Sequence, residues 1–264
     1  MSDSALIHVA TMAALEAGEL LLEGLDTHFQ IETKEGKQNL VTEYDTASQK
    51  LIIEKIQKTF PNHHFLAEED NVKAAPSDEI LWIIDPLDGT VNFAHGIPHF
   101  AVSIAAARGS EILCGVVLHP NGNELFVAEK GSGAQLNGKK INVSKQENRD
   151  HALLATGFPY NVDTNPLRCI DRFAKMVSTG SPIRRMGVAS LDLAYVAKGR
   201  FDAFWESSLH SWDMAAAKLL IEEAGGKVTG YDGSPHPIFG YHPILATNGH
   251  LHQQMVDLLK EDLL

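Results

Sequence analysis

The sequence predicts an α+β first half, residues 1–147, followed by an α/β second half, residues 148–264. Three observations carry this. Between residues 100 and 143, strand-like runs are separated by Gly-Ser, Pro-Asn-Gly and Gly-Ser-Gly turns, the pattern of an antiparallel meander. From residue 153 onward, short apolar runs alternate with helical stretches, the pattern of α/β units. Between them, residues 144–150 are polar and read as a connector. A cleft between two such halves is a natural place for a binding site.

In chain order, residues 4–25 read as an amphipathic helix, with Leu6, Val9, Ala13, Ala17 and Leu20 near one face. Residues 41–45 end a strand with an acid. Residues 45–60 form a second helix with Leu51, Ile52 and Ile56 inside, Asp45 at its start and Pro61-Asn62 at its end. Residues 65–67 and 80–85 are short buried strands, separated by a polar loop at 71–79. Strands follow at 100–108, 112–119, 125–129 and 134–143, and Asn137-Gly138 is a hairpin signal of type I′. The second half reads as strands at 153–156, 183–186, 203–205, 227–229 and 244–247. Helices fill 166–177, 189–198, 212–224 and 249–259, with Gly225-Gly226 as a helix stop.

Composition excludes several functions. The chain of 264 residues carries 22 basic and 34 acidic side chains, a net charge of −12. Sequence-blind nucleic-acid binding needs a basic footprint that is missing here, so no direct nucleic-acid contact is expected. Cys114 and Cys169 are the only cysteines, which excludes a cysteine metal cluster and argues against a secreted disulfide scaffold. No run is read as reaching the roughly 18 apolar residues of a membrane span. The first residues lack the basic and long apolar regions of a signal peptide. No membrane association is expected, and the expected compartment is the cytoplasm. The thirteen histidines, His63-His64 among them, read as surface titrating groups.

The most informative segment is 82–93, Trp-Ile-Ile-Asp-Pro-Leu-Asp-Gly-Thr-Val-Asn-Phe. An apolar strand delivers Asp85 and Asp88 at its end, Pro86 stiffens the turn, and Gly89 permits close backbone approach. Two carboxylates on a stiff turn converge on one point and repel unless a hard cation sits between them. Magnesium suits such a site because it takes oxygen ligands and keeps waters and a phosphate in its shell. The Gly89 and Thr90 amides can receive a phosphate. Asp-x-x-Asp-Gly alone also describes a capped turn or a hairpin corner. Glu68-Glu69-Asp70, Asp45 and Trp212-Asp213 add acidic groups at the ends of strands or helices. A solvated charge run and simple helix capping remain alternative readings of these.

Together, Glu68-Glu69, residues 85–93 and 212–226 (Trp-Asp-Met-Ala-Ala-Ala through Glu-Ala-Gly-Gly) resemble the signature segments of the inositol monophosphatase family, in order and spacing along essentially the whole chain. Residues 95–104 and 191–199 resemble its bacterial branch. Ala67 departs from the glycine that many members carry before the Glu pair. The resemblance implies a layered α-β-α-β-α sandwich of the inositol monophosphatase and sugar phosphatase type, and a magnesium-dependent, lithium-sensitive phosphomonoesterase with two or three ions. It implies Glu68, Asp85 and the Leu87 carbonyl for a first magnesium, and Asp85, Asp88 and Asp213 for a second. It further implies that Glu69 helps place a third ion through water, that Glu68 and Thr90 orient the attacking water and that the Gly89 and Thr90 amides hold phosphate. It places Asp88, Ala189 and Glu206 at the alcohol, with Lys34, Asp45 and His210 as accessory positions.

The expected substrate is an inositol monophosphate or a related small polyol phosphate, and a homodimer is expected from the family. Alternatives are a fructose-1,6-bisphosphatase or a nucleotide 3′-phosphatase of the same fold. Glu206 speaks against a second substrate phosphate. From a different class, a regulatory contact with the transcription machinery is the competitor; Arg184-Arg185 reads equally as a surface for such a contact, as a dimer interface or as a solvated basic strand end.

Overall fold

The computed structural model describes residues 3–25, 27–33, 40–69 and 78–260. Lys34 and Asp70 lie outside them. In chain order the elements are α1 (Asp3–Gly24), β1 (Ile31–Thr33), β2 (Leu40–Thr42), α2 (Glu43–Thr59), β3 (His64–Ala67), β4 (Ile80–Asp88), α3 (Thr90–Ala94), β5 (Ala101–Arg108), β6 (Glu111–His119), β7 (Glu124–Glu129), β8 (Gly133–Leu136) and β9 (Lys139–Lys140). The second half continues with β10 (Leu154–Thr156), α4 (Cys169–Ser178), β11 (Ile183–Arg184), α5 (Ala189–Ala197), β12 (Ala203–His210), α6 (Ser211–Glu223), β13 (Lys227–Thr229), β14 (Tyr241–Thr247) and α7 (His252–Lys260).

Two sheets organise the chain. The larger runs β3-β4-β5-β6-β7-β8-β9 and is antiparallel except for the parallel β3–β4 pair. The smaller runs β11-β10-β12-β14-β13. It is mixed: β10 pairs in parallel with β11 and β12, whereas β14 is antiparallel to β12 and β13. Helices α1 and α2 cover one face of the large sheet. Helices α5 and α6 lie between the sheets, touching β5 and β6 on one side and β12 and β14 on the other. Helices α4 and α7 close the outer face of the small sheet, where Met176, Met255 and Leu259 meet Leu154, Trp205 and Leu245. The order is the expected α-β-α-β-α sandwich. Each sheet and helix buries one apolar face against the next layer, which is why the layers alternate.

Several elements differ from the sequence reading. The strand expected to end at 41–45 is β2, which stops at Thr42 because α2 begins at Glu43; its partner β1 and the short α3 were not expected, because three- and five-residue elements carry too little pattern. Strand β12 runs to His210 and β14 starts at Tyr241, longer than their apolar cores. The run 134–143 is a hairpin, folded at Asn137 and Gly138 with φ of 49° and 74°, as the Asn-Gly signal requires.

Helix α1 corrects another expectation. Residues 4–24 are long and apolar enough, with mean hydropathy 1.5, to pass as a membrane span by length and composition. Ala10, Ala13, Ala14, Ala17 and Leu21 are fully buried in the helix–sheet core. The histidines also differ from expectation. His119, His236 and His252 are buried, and His63 stacks on Phe60 while accepting from the Trp82 indole at 3.0 Å.

Candidate active site

Strand β4 is buried along its whole length, so its acids arrive in the interior. Its register against β5 slips between Asp85 and Asp88. Pro86, which has no N–H to offer the ladder, sits in that irregularity. The Asp85 carboxyl accepts the Leu87 N–H at 3.1 Å, and the Ser48 hydroxyl on α2 donates to the Pro86 carbonyl at 2.8 Å. Gly89 then turns the chain with φ 94°, a left-handed conformation that suits glycine. A Cβ there would stand 2.8 Å from Val188. Gly89 caps α3 without a side chain, so the first amides of that turn have no side-chain acceptor.

The other acids come from three more elements. Glu68 follows β3, and its N–H donates to the Ile84 carbonyl at 3.2 Å, which sets it beside Asp85. Asp45 lies in the first turn of α2. It accepts the Thr42 N–H and hydroxyl at 2.7 and 2.6 Å on one oxygen and the Thr90 hydroxyl at 2.8 Å on the other. Asp213 lies in the first turn of α6 and accepts the His210 N–H at 2.6 Å. The capping role is therefore real for both residues, and it leaves part of each carboxyl for other work. Helix α6 comes this close because its contact face is alanine and β6 offers Gly115. A Cβ on Gly115 would lie 2.6 Å from the Ala216 carbonyl oxygen.

Helix α5 closes the site from the second half. The Ser190 N–H donates to Asp88 at 2.7 Å, a link across 102 positions. The Asn92 amide also bridges the halves, donating to the carbonyls of His99 at 2.9 Å and Met186 at 3.0 Å.

These residues enclose a cavity of about 380 Å³. Glu68, Asp85, Leu87, Asp88, Gly89, Thr90, Ala189, Glu206, His210 and Asp213 line it. Of the expected positions, Asp45 stands behind Thr90, and Glu69 is not among the lining residues; its backbone N–H donates to the Gln49 side chain at 3.0 Å. His210 stacks between Trp212 and Tyr241, with ring centroids 4.5 and 4.4 Å away, and forms a wall.

The field inside is strongly negative. Burial, then Glu68, Asp88 and Asp213, holds Asp85 well above the usual carboxylate range. Burial, then Asp88 and Glu68, does the same to Asp213. Burial pushes Asp88 up to about 6 against the hydrogen bonds from Ser190, and burial with Asp88 pushes Glu206 up to about 8. Asp45 is raised by burial, with the Thr42 and Thr90 hydrogen bonds opposing. Among the lining residues Arg185 is the only permanent cation.

Among the described residues, no three His, Cys, Asp or Glu side chains meet as a closed metal cage. The three aspartates each turn an oxygen to a backbone amide instead. The donor set nevertheless fits magnesium. It consists of hard oxygens that repel one another, with no protein cation among Glu68, Asp85, Asp88 and Asp213. Magnesium characteristically takes one or two carboxylates and keeps its waters, so it needs no all-protein cage.

The family model described as the inositol monophosphatase family matches residues 2–263. The chain belongs to the inositol monophosphatase family. It is 44% identical over 236 residues to a Pseudomonas aeruginosa protein named Nus factor SuhB, covering 87% of this chain and 86% of that one. It is 42% identical to a Caulobacter vibrioides inositol-1-monophosphatase, covering 89% and 92%. The crystal structure of the extragenic suppressor protein suhB from Bartonella henselae superposes with a TM-score of 0.91 at 38% identity, covering 97% of this chain and 99% of that one. An IMPase/NADP phosphatase solved with Mg²⁺ and phosphate superposes at 0.83 with 25% identity, covering 94% and 92%.

Sequence reasoning missed part of the wall. Gly157, Phe158, Pro159, Tyr160, Arg185, Asp192 and Tyr241 also line the cavity. Only Asp192 left a signal: an acid between Leu191 and Leu193 on an otherwise largely apolar helix.

Proposed function

We propose that the protein is a magnesium-dependent phosphomonoesterase that hydrolyses inositol monophosphates and related small polyol phosphates to alcohol and phosphate. The observation that carries this is the gathering of Glu68, Asp85, Asp88 and Asp213, from three separate segments, around one cavity beside the uncapped start of α3. Membership of the inositol monophosphatase family supports the phosphatase activity, and the Mg²⁺ and phosphate in a solved relative support the metal.

Glu68, Asp85, the Leu87 carbonyl, Asp88 and Asp213 would hold two magnesium ions, with Glu69 assisting a third through water. When bound, magnesium neutralises phosphate charge and makes water a better nucleophile near neutral pH. The chain's own groups do the positioning. Thr90 donates its hydrogen bond to Asp45, which leaves its hydroxyl oxygen free to accept a hydrogen bond from the attacking water. Glu68 accepts the water's other hydrogen, aims it in line with the ester bond and takes the proton it loses, while the departing alcohol oxygen takes a proton from solvent. The Gly89 and Thr90 amides hold the phosphate oxygens, and Asp88, Ala189 and Glu206 face the alcohol. Cys114 and Cys169 are buried outside the cavity lining, so no cysteine nucleophile is called on.

A magnesium-dependent phosphate-release screen over inositol, sugar and nucleotide phosphates tests the reading. Inositol monophosphates should rank first, and lithium should inhibit. Full activity after exhaustive chelation would overturn it. We further propose a cytoplasmic homodimer, which sedimentation and fractionation check.

The name Nus factor carried by the Pseudomonas relative supports a second role, as a partner of the transcription machinery. Arg184 and Arg185 are both exposed. A pull-down with Asp213→Asn separates the two roles, because a partner role survives loss of the metal site.

A further inference from the structure

Next to Asp88, the cavity is lined by residues of α5 and β12. Two carboxyls are buried there, Asp192 at 1% exposure and Glu206 at 6%. Glu206 has the room it needs because residue 157 is glycine; a Cβ there would stand 2.1 Å from the Glu206 Oε2. Asp192 lies on α5, two residues beyond the Ser190 amide that holds Asp88. Its Oδ1 is buried and has no hydrogen-bond partner.

A buried acceptor without a donor is costly and rare enough to need an explanation. The charged groups that act on Asp192 are Asp88, Glu206 and Arg185. Two of them are acceptors when ionised, and Arg185 is exposed at the rim. None of them donates to Oδ1, and Asp192 lines the cavity that the substrate enters.

We infer that Asp192 is a specificity-determining residue, its Oδ1 receiving a hydroxyl of the substrate's alcohol part. The inference rests on the polyol-phosphate reading above and narrows it. The alcohol carries two hydroxyls distal to the ester, one for Glu206 and one for Asp192. A second phosphate or a carboxylate at that end meets two buried acids, whereas an alkyl or aryl alcohol leaves Asp192 without a donor. One turn of α5 therefore serves both ends of the site, Ser190 holding Asp88 and Asp192 reading the alcohol.

The test uses Asp192→Leu, which keeps the shape and removes the acceptor, and Asp192→Asn, which keeps one acceptor oxygen. The readout is the ratio of kcat/KM for inositol 1-phosphate to kcat/KM for p-nitrophenyl phosphate, with magnesium. The ratio should fall roughly tenfold in the leucine variant, as expected for one lost hydrogen bond to a carboxylate. The fall should be smaller in the asparagine variant and carried by KM. If the leucine variant does not melt cooperatively, the asparagine variant decides alone. A ratio within twofold of wild type, whether through equal losses or none, overturns the role of Asp192. Wild-type protein that hydrolyses the aryl ester and no polyol phosphate overturns the substrate reading instead.

Discussion

The Thr90 hydroxyl donates to the Asp45 carboxyl across 2.8 Å, joining the first turn of α3 to the first turn of α2. The same hydroxyl lies 3.0 Å from the Leu87 carbonyl. It has one proton, so the two acceptors compete for it. Asp45 is held in place by Thr42 on its other oxygen, which favours the Asp45 partner. Thr90→Val should lower kcat about a hundredfold, the scale of one proton-handling group, with KM little changed. Thr90→Ser should recover most of the rate. A valine variant with wild-type kcat would remove Thr90 from the chemistry.

Asp213 combines a capping bond with a place in the cavity wall. Asn is a good acceptor for the His210 N–H, so Asp213→Asn should fold and keep its metal-free melting temperature within a few degrees. Its activity should collapse, because the amide brings no charge to the cation. Magnesium should raise the melting temperature of the wild type and barely that of the variant, since an ion that binds only the native state stabilises it by mass action. Near-wild-type values on both counts would confine Asp213 to capping.

The pH dependence of stability follows from the raised acids. A carboxyl whose pKa rises on folding binds its proton more tightly in the native state. The stability it contributes is present below the unfolded pKa and is lost as pH climbs through the folded one. Asp88, at about 6, and Glu206, at about 8, act in this direction. Burial holds His99, His236 and His252 down to about 4, and these contribute the opposite trend between about 4 and 6.5. Above that window the acids stand alone. Metal-free protein should therefore melt at lower temperature as pH rises from about 6.5 to 8.5. Magnesium should stabilise more at the upper end, because it binds the deprotonated carboxylates. A flat metal-free profile with pH-independent magnesium stabilisation would contradict this.

Gly115 tests how the second half of the site is delivered. Its absent side chain faces the backbone of Ala216, which cannot rotate away as a side chain can. Gly115→Ala should push α6 off β6 and destabilise the fold by about 1–3 kcal/mol. It should also weaken magnesium binding, because Asp213 rides on that helix. Calorimetric unfolding and a magnesium titration check both. Lost stability with unchanged magnesium affinity would show that the helix yields elsewhere.

Much of the architecture was legible in local pattern. Strand β4 announces itself as an unbroken apolar run, and the hairpin at Asn137-Gly138 as a turn dipeptide. The ends β12 took to His210 and β14 took from Tyr241 carry polar residues, and hydrogen bonding to a neighbouring strand rather than hydrophobicity defines them. The wall at 157–160 has no periodicity to read. It belongs to the cavity only because β10 ends beside β12.

By itself the sequence determined the segment 85–90, whose two acids, proline and glycine dictate a stiff acidic turn at the end of a buried strand. It also determined that Glu68, Asp45 and Asp213 each sit at the end of an element, since apolar runs and helix starts are local properties. Tertiary structure decided that these ends meet. That depended on the β3–β4 register, on α6 settling against Gly115, and on the Ser190 amide reaching Asp88 across 102 positions. It also decided that Asp192, an acid on α5, lines the cavity and has a buried oxygen with no partner. Such relations come from packing between residues far apart in the chain, and the periodicity of a single element does not encode them.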